Sequence, residues 1–448
     1  MLMQKKMTLL RTSFALASAL FASTAAFAQA IPVSNEAELK TALSDTSADI
    51  VLTQDITLSG EWIPIGTKEA PYMGTFDGQG HAIKGLTITT KADNLGFFSF
   101  IGSTATVKNV SFTGAKVLGN KQAAIVAGQA ENATISNVYV SGYVTGCDHV
   151  GTIVGDARGD ANVDTDGTNI SNCVSTAAAL SSDNQAGGIA GWTNLGMFEY
   201  NVAYGAVTAP GGGAAGICSM IDNNGHASFI GNVSAIPYAK GGNNRTSGIL
   251  GWKNGSGCAI VDDDQNLSSD ATQYFVGGNL TAAADIKFDE NNEGINGIVT
   301  PAADLKTAAT YTNAGFSADV WNLVDGQYPT LKTQAAIENA IYTAQAPSRY
   351  VVGTEYDSQA ASTLGSAVTI TSSNPSVVAV EGTTLKFEAQ GDAVVTFTAA
   401  ATDVAPAFTT TLPITVGDIN YAITTPADLM AVKYNMSGDF TLENDIDM

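Results

Sequence analysis

Three sets of residues in this sequence have types and spacings that suit binding or acid–base chemistry. In the first, Asn162, Asp164 and Asp166 alternate before a glycine, as in the front half of a calcium loop, where alternating oxygens converge on the ion. The glutamate that would complete such a loop is missing, because Cys173 stands at the twelfth position. The segment is therefore either a weak surface calcium site or a solvated acidic loop.

Trp192 and Trp252 form the second set. Each follows the closing glycine of a repeated segment, and Met220 occupies the equivalent position between them. If that corner of the fold is exposed, the two indoles would lie roughly 10 Å apart along a stack of strands. Aromatic faces at that spacing suit stacking on sugar rings, which predicts glycan binding. The alternative is that both indoles cap the core.

The third set is Asp77 with His81, within TFDGQGHAIKGL. A catalytic interpretation would use the two side chains as acid and base. The same run is also turn chemistry followed by an alternating strand. Because the sequence has no HExxH motif or other nucleophile–base arrangement, it favours a protein that is not an enzyme, and we assign no catalytic residue.

The tryptophans belong to a pattern that occurs five times between about Thr106 and Gly255. Each copy pairs an asparagine with an apolar residue that stands two positions before a glycine, or before Ser219 in the fourth copy. The asparagines are Asn109, Asn137, Asn172, Asn201 and Asn232, and their partners are Val126, Ile153, Ile189, Ile217 and Ile249. From asparagine to partner the chain takes 17, 16, 17, 16 and 17 residues, whereas the returns take 11, 19, 12 and 15.

A stacked solenoid explains why one half of each copy keeps its length. Each turn lays a strand on the equivalent strand of the turn below, about 4.8 Å away, so stacked segments must match in length. Loops that project sideways carry no such constraint. The pattern therefore predicts a parallel coil, in which the asparagines form a ladder of bonded amides or merely favour the turn.

The repeats resemble a known family. The GGIAG-type ending, preceded by WIPIG, YMGTFDGQGHAIKGLTI, NLGFFSFI and VKNVSF, is similar to the GLUG-repeat proteins of bacterial cell surfaces. The resemblance covers roughly Ile31 to Lys332. It implies a β-solenoid, in either an adhesin-like protein or an accessory region of a large secreted peptidase.

The region from Tyr350 to Val416 follows a different pattern of short alternating strands. The strands are separated by NPS, EGT and QGD turns, which predict a small antiparallel sandwich. SSNPSVVAV followed by GTTLKFEAQGDAVVTFTA is similar to the bacterial immunoglobulin-like group 2 domains, and this implies a spacer or adhesive module. The predicted fold class is all-β, a parallel β-helix-like solenoid followed by a small Ig-like β-sandwich.

The two ends of the chain suggest export and a second module. Basic residues precede the apolar run FALASALFASTAAFA, as in a secretory signal peptide. Near the C-terminus, ITTPADLMAVKYNMSGDFTLENDIDM aligns without gaps on the segment that starts the solenoid. The predicted divisions are 1–30 signal peptide, 31–105 N-terminal cap and first coils, 106–299 GLUG-type repeats, 300–332 C-terminal cap, 333–349 linker, 350–417 Ig-like domain and 418–448 a truncated second module.

The four cysteines favour packing over disulfide bonds. Cys173 and Cys218 stand where other copies carry apolar residues, so we expect both in the core. The expected equivalents are Val110, Val138, Val202 and Val233 for Cys173, and Ala127, Val154, Ala190 and Leu250 for Cys218. Cys147 and Cys258 lie outside the repeat frame and about three coils apart, too far for an easy bridge. With three histidines in the chain, a Cys/His zinc site is not favoured.

The net charge and the composition limit the kinds of partner that we expect this protein to bind. A net charge of −22 argues against nucleic acid and anionic membranes, and no mature segment is long and apolar enough to cross a bilayer. We expect a secreted or cell-surface adhesion or display scaffold that contacts a glycan or a surface protein, with calcium as the one possible cofactor. The alternatives are a polysaccharide-degrading β-helix enzyme and a non-catalytic part of a secreted peptidase. Scattered Lys and Arg residues argue against the first of these.

Overall fold

The computed structural model describes residues 30–159, 167–242, 245–255, 258–264, 267–269, 273–276, 279–282, 297–434 and 438–447. It is 47% strand and 7% helix, with a β-solenoid of about 7 turns and a separate curled sheet region toward the C-terminus. The all-β fold class predicted from the repeats is therefore confirmed. The predicted signal peptide lies almost entirely outside the described residues.

Parallel strands stack in five columns along the solenoid, and some long strands turn a corner and serve two columns. The first column holds Ile31–Val33, Ile50–Leu52, Thr75–Asp77, Thr106–Leu118, Thr134–Gly146, Thr168–Ser171, Ala190–Glu199, Cys218–Ile230 and Ala259–Asp264. The second adds Ile56–Thr57, Ala82–Lys84, Val174–Ser175, Val202–Ala203, Val233–Ser234, Leu267–Ser269 and Ile298–Thr300. The third adds Thr87–Ile88, Ala178–Ser181, Val207–Ala209, Tyr238–Gly241 and Gln273–Val276, with Asn279–Ala282 antiparallel to the last.

The remaining two columns close each turn. One holds Lys121–Ala123, Asp148–Gly151, Ala186–Gly187, Ala214–Ala215 and Thr246–Ser247. The other holds Phe98–Ile101, Ala127–Glu131, Val154–Arg158 and Leu250–Lys253, together with the starts of the strands at Ala190 and Cys218. In this column Ala127, Val154, Ala190, Cys218 and Leu250 pair in register. The predicted apolar partners, one residue earlier, therefore do lie above one another.

Alternation along the strands fills the solenoid with small and branched apolar side chains. Inward positions such as Val107, Ile135 and Ile170 are fully buried, and the first coils add a cluster of aromatic rings around Phe97. The helix Glu36–Ala42 covers the first edge. Its N-cap is Asn35, whose side chain accepts a hydrogen bond from the Glu38 amide at 3.0 Å. This agrees with the predicted capped helix followed by a strand.

The single asparagine ladder predicted from the repeats is wrong in its register. Asn109, Asn137 and Asn172 share one corner and have left-handed backbones with φ of 52–55°. In the next two turns that corner belongs to Tyr200 and Gly231, also at positive φ. Asparagine is among the residues that tolerate this conformation, but the coil does not require it.

Asn201 and Asn232 lie one position later and point inward. Both are fully buried, and they pair in register with Cys173 of the preceding turn. Asn201 Nδ2 donates to Asn232 Oδ1 at 3.0 Å, and Asn201 Oδ1 accepts from the Cys173 amide at 3.0 Å. Val110 and Val138 are therefore the equivalents of Cys173, whereas Val202 and Val233, also expected to match it, are not.

The asparagines therefore form two short ladders of bonded amides, one through Asn109 and Asn137 and one through Asn201 and Asn232. In the first, Asn137 donates to Asn109 and Asn109 donates to Asp77, each at 3.0 Å. It stops at Asn137, whose Oδ1 has no hydrogen-bond partner, and the Oδ1 of Asn172 accepts from Trp321 Nε1 at 3.0 Å. The near-constant half-turn survives this correction, since the corner residues remain 16 to 18 positions before their apolar partners.

Residues 301–337, which we call the side cover, pack along the flank of the coils. The side cover contains the 3-10 turn Asp304–Lys306, the helix Ala308–Asn313 and the antiparallel strands Trp321–Asn322 and Thr330–Leu331. Its Leu305, Tyr311 and Trp321 bury outward-facing side chains such as Val174 and Val202. Most of it was predicted to close the end of the solenoid, but in the structure it covers a flank.

Two small sheets follow and enclose their own core around Val378, Leu385 and Val395. One holds Tyr350–Val351, Val368–Ser372, Gly391–Ala399 and Phe408–Gly417, and the other Glu355–Asp357, Val378–Glu381 and Thr384–Phe387. Ile341–Tyr342 pairs with Ala361–Ser362 in a short hairpin. We call residues 341–417 the sandwich.

The last described segment repeats the start of the solenoid. Tyr421–Ile423 pairs in parallel with Phe440–Leu442, just as Ile31–Val33 pairs with Ile50–Leu52. Between them lie the helix Pro426–Ala431, capped by Thr425, and the 3-10 turn Val432–Tyr434. The gapless alignment of the two segments thus corresponds to the same strand–helix–strand arrangement.

Candidate functional site

Trp192, Met220 and Trp252 stack in one outward-facing column, which we call the tryptophan column. Their strand pairing places Met220 between the indoles, as the repeat predicts. The three side chains contact one another outside the main core, and the exposed fractions are 2% for Trp192 and 8% for Trp252. The column is thus outside the core yet shielded from solvent.

Basic side chains roof the tryptophan column. The guanidinium of Arg158 lies 4.9 Å from the centre of the Trp192 ring, and that of Arg245 lies 3.5 Å from the Trp252 ring. The His149 ring stacks on Trp192 with centroids 5.5 Å apart. These contacts occupy ring faces that a sugar would need, so glycan binding by the two indoles stays a prediction that requires the roof to open.

A buried carboxylate organises the roof. Asp156 is fully buried, pairs with Arg158 at 2.5 Å and with His149 Nδ1 at 2.6 Å, and accepts from Gln129 at 3.2 Å. Burial alone would lower the pKa of His149, but the hydrogen bond and charge of Asp156 outweigh it, and the pKa is raised. Both carboxylate oxygens of Asp156 have hydrogen-bond partners within the protein, so Asp156 holds the roof in place. Neither oxygen faces solvent, where it could act on a ligand.

Of the other two predicted sets of site residues, the structure describes only the pair Asp77 and His81. Asn162, Asp164 and Asp166 lie outside the described residues, so the predicted calcium loop stays a prediction. Asp77 and His81 are not paired with each other. Asp77 accepts from Asn109 and lies 3.5 Å from Lys108, whereas the nearest acid to His81 is Asp55 at 3.4 Å.

All four cysteines are unbridged, as their positions in the repeat predict. Cys173 and Cys218 are fully buried, and burial raises the pKa of both thiols to about 12. Cys147 is partly exposed and donates to Asn120 Oδ1 at 3.1 Å, and burial followed by the nearby Asp148 raises its pKa. A thiol with a raised pKa is a poor nucleophile, so none of these three cysteines is poised for catalysis.

An open cleft lies on another flank of the solenoid, where the coils face the sandwich. Its volume is about 650 Å³. The strand register stacks Tyr143, Ala178, Ala206 and Tyr238 in one outward column, so two alanines form a low floor between two tyrosines. We call this the tyrosine column. Beside it Thr145, Leu180 and Thr208 stack in a parallel row.

The opposite wall comes from the start of the sandwich. Tyr342 meets Tyr143 edge to face, with ring centroids 5.3 Å apart. The hairpin that carries Tyr342 is tied to the coils, because the amide of Ala206 donates to the Thr363 carbonyl at 2.8 Å. Gln359 adds an exposed side chain at the rim from a left-handed backbone with φ of 48°.

Polar contacts hold the two walls at a fixed distance. The hydroxyl of Tyr139 accepts from the Glu338 amide at 2.9 Å, and Thr176 Oγ1 donates to the Glu338 carbonyl at 3.1 Å. Asn339 is buried and its Oδ1 accepts from the amide of Ala340 at 2.9 Å and from Ser362 at 3.0 Å. The cleft is thus part of the packed structure between coils and sandwich.

Hydroxyl, amide and aromatic groups dominate the lining. The described lining residues include one lysine, Lys91, and no carboxylate. Burial raises the pKa of Tyr238, so its phenol is neutral at physiological pH. Such a lining can bond hydroxyl groups and stack on apolar faces but offers no acid–base pair.

Sequence reasoning missed the cleft. Its two walls are separated by about a hundred residues of chain, and no local spacing links them. The one available signal was a pair of alanines between two tyrosines at matching repeat positions.

Comparisons with known proteins support the fold. No family model matches the chain. A 104-residue part, 23% of this chain, is 36% identical to halomucin from Haloquadratum walsbyi (strain DSM 16790 / HBSQ001) and spans 1% of that protein. The structure is also similar to the crystal structure of a "putative immunoglobulin A1 protease" from Bacteroides ovatus, with a TM-score of 0.58 and 21% identity over 68% of this chain and 93% of that chain.

At 21% identity the structural likeness shows the fold alone. No helix among the described residues is long and apolar enough to cross a membrane. The two comparisons are consistent with an extracellular β-helix protein.

Proposed function

We propose that this protein is a non-catalytic secreted or cell-surface scaffold that binds an extracellular glycan or surface protein. The observation that carries the proposal is the cleft between coils and sandwich, whose described lining has hydroxyl, amide and tyrosine groups and no carboxylate. Hydrolysis and elimination need a positioned acid or base, whereas binding needs only complementary donors, acceptors and apolar faces.

The architecture supports a display role. The coils are parallel and fully paired along the axis, and the side cover and sandwich pack against their flank through buried apolar and polar contacts. Such a scaffold presents its loops and cleft at fixed positions. GLUG-type repeats and an Ig-like module, proposed from the sequence, would suit the same role.

Two measurements test this function. Fractionation with an antibody against the protein should find it in the culture medium or on intact cells, where added protease digests it. Purified protein incubated with polysaccharides or with immunoglobulin A1 should release no cleavage products, while beads coated with it should retain mucin or cell-surface material above beads coated with an unrelated β-helix. Cytoplasmic location, or turnover of any of these substrates, would refute the proposal.

A further inference from the structure

The cleft has the dimensions of a slot for a small ring-shaped ligand. Tyr143 and Tyr238 are three strand spacings apart on the tyrosine column, roughly 14 Å. Tyr342 fills part of that gap from the side of Tyr143. Ala178 and Ala206 are themselves covered, at 2% and 1% exposed, because both aromatic walls pack against them. The open space of the cleft therefore lies beside the alanine floor, where Tyr238, Tyr342 and Leu180 line it.

The backbone around the floor disfavours a peptide. Extended peptides bind chiefly by adding a strand to an open edge. The strands Ala178–Ser181 and Val207–Ala209 are each paired on both sides within the column, so they have no open edge toward the cleft. A ligand there must be recognised by side chains.

The charge of the cleft disfavours a polyanion. The described lining has Lys91 as its one ionised group, in a chain with a net charge of −22. A nucleic acid or a highly sulfated polymer would require several cations at the point of contact. The lining instead suits an uncharged ligand.

A sugar ring combines the properties that this cleft would recognise. Its C–H face is apolar and packs against aromatic rings, and its rim carries hydroxyls that donate and accept. We propose that the cleft binds a short neutral oligosaccharide, with a pyranose held between Tyr238 and Tyr342 and its hydroxyls bonded by Thr208 and Gln359. This proposal rests on the proposed binding function and names its ligand class.

Gln359 supplies an exposed side-chain amide at the rim of the cleft. Its backbone N–H donates to Asp357 Oδ1 at 3.0 Å, which stabilises the turn that carries it. An exposed amide held at a cleft rim suits hydroxyl recognition.

Isothermal titration against a defined panel tests the proposal. The neutral probes are maltohexaose, cellohexaose, laminarihexaose, mannohexaose and xylohexaose, and the acidic probe is hexagalacturonate. We expect at least one neutral probe to bind. Tyr238→Ala and Tyr342→Ala should each weaken that binding at least tenfold, and Ser182→Trp, which places a bulky ring at the exposed rim, should abolish it.

One control variant distinguishes a blocked cleft from a general loss of structure. Ala318→Trp adds the same ring at an exposed position on the side cover and should bind as the unmodified protein does. Circular dichroism and the urea midpoint of each variant establish that it is folded, so a loss confined to the cleft variants supports the proposal.

The remaining outcomes overturn it. Binding by hexagalacturonate alone, no binding by any probe, or neutral binding that survives Ser182→Trp would each show that the cleft does not hold a neutral oligosaccharide. If beads coated with Ser182→Trp still retain mucin or cell-surface material, the scaffold function stands and this assignment of its ligand fails. If unmodified protein retains nothing, both fail.

Discussion

The tryptophan column and the tyrosine column are two outward faces of the same coils, and they differ in how completely the rest of the protein covers them. In the first, large side chains fill three successive turns, and Arg158, His149 and Arg245 cover them. In the second, two alanines separate the tyrosines, and the covering sandwich leaves an open cleft. One face is packed by the protein itself, and the other retains space for a ligand.

Strand register therefore does not determine whether an outward-facing side chain is exposed to solvent. Both columns have aromatic residues at matching repeat positions, and both point away from the core. What differs is the cover, which comes from other turns and from the sandwich. Four predictions, in order of decreasing expected effect, test this contrast.

Trp192→Ala should have the largest effect. The indole is 2% exposed and packs against Met220, His149 and Arg158, so its removal leaves a cavity and an uncovered guanidinium. We expect a loss of about 3 kcal/mol in the free energy of unfolding, measured by urea denaturation. Tyr238→Ala, on the half-buried cleft wall, should cost about 1 kcal/mol. Equal losses would mean that the two columns are packed alike.

Asp156→Ala should come next. It strips His149 and Arg158 of the buried carboxylate that holds both over Trp192. Because Arg158 is partly exposed and can turn toward water, we expect about 2 kcal/mol, below the usual cost of breaking a buried pair. The exposed Asp319→Asn serves as the matched control and should change stability by less than about 0.5 kcal/mol. A neutral effect at Asp156 would show that the roof does not depend on it.

Met220→Trp and Leu180→Phe compare added volume in the tryptophan column and in the cleft. A third indole would overpack the filled tryptophan column and should cost about 1.5 kcal/mol. Leu180 is half-buried and lines the open cleft, so a phenylalanine there can extend into it and should cost less than about 0.5 kcal/mol. Thermal unfolding of both variants makes the comparison, and the reverse order of losses would contradict it.

The pH dependence of His149 should be the smallest effect. Its pKa is raised in the folded state, so its contribution to stability is fully present below the unfolded pKa of about 6.5 and is lost as the pH rises through the folded pKa. The difference in urea midpoint between the unmodified protein and His149→Gln should therefore narrow above pH 6.5. A difference that widens with pH would mean that the net shift has the opposite sign.

The regular part of the fold was predictable because stacking imposes a common length. The register from Ala127 to Leu250 and the position of Met220 between the tryptophans both follow from the repeat. The asparagine register was not predictable from residue type. Tyr200 and Gly231 also tolerate the left-handed corner, and Asn201 bonds equally well from one position later.

The candidate site was less predictable for a different reason. Arg158 and His149 cover Trp192 through contacts between turns, and Tyr342 reaches the coils only because the sandwich packs back on them. These contacts depend on the folded path of loops whose lengths vary freely. The spacing of residues in the sequence predicts which strands stack, but it does not predict which side chains from other turns cover them.

A crystal structure of the protein soaked with the tightest-binding neutral hexasaccharide tests the central claim most directly. The account predicts a sugar ring between Tyr238 and Tyr342 in the cleft, with Trp192 and Trp252 still covered by their arginines. A sugar stacked on either indole, with the cleft empty, would contradict it.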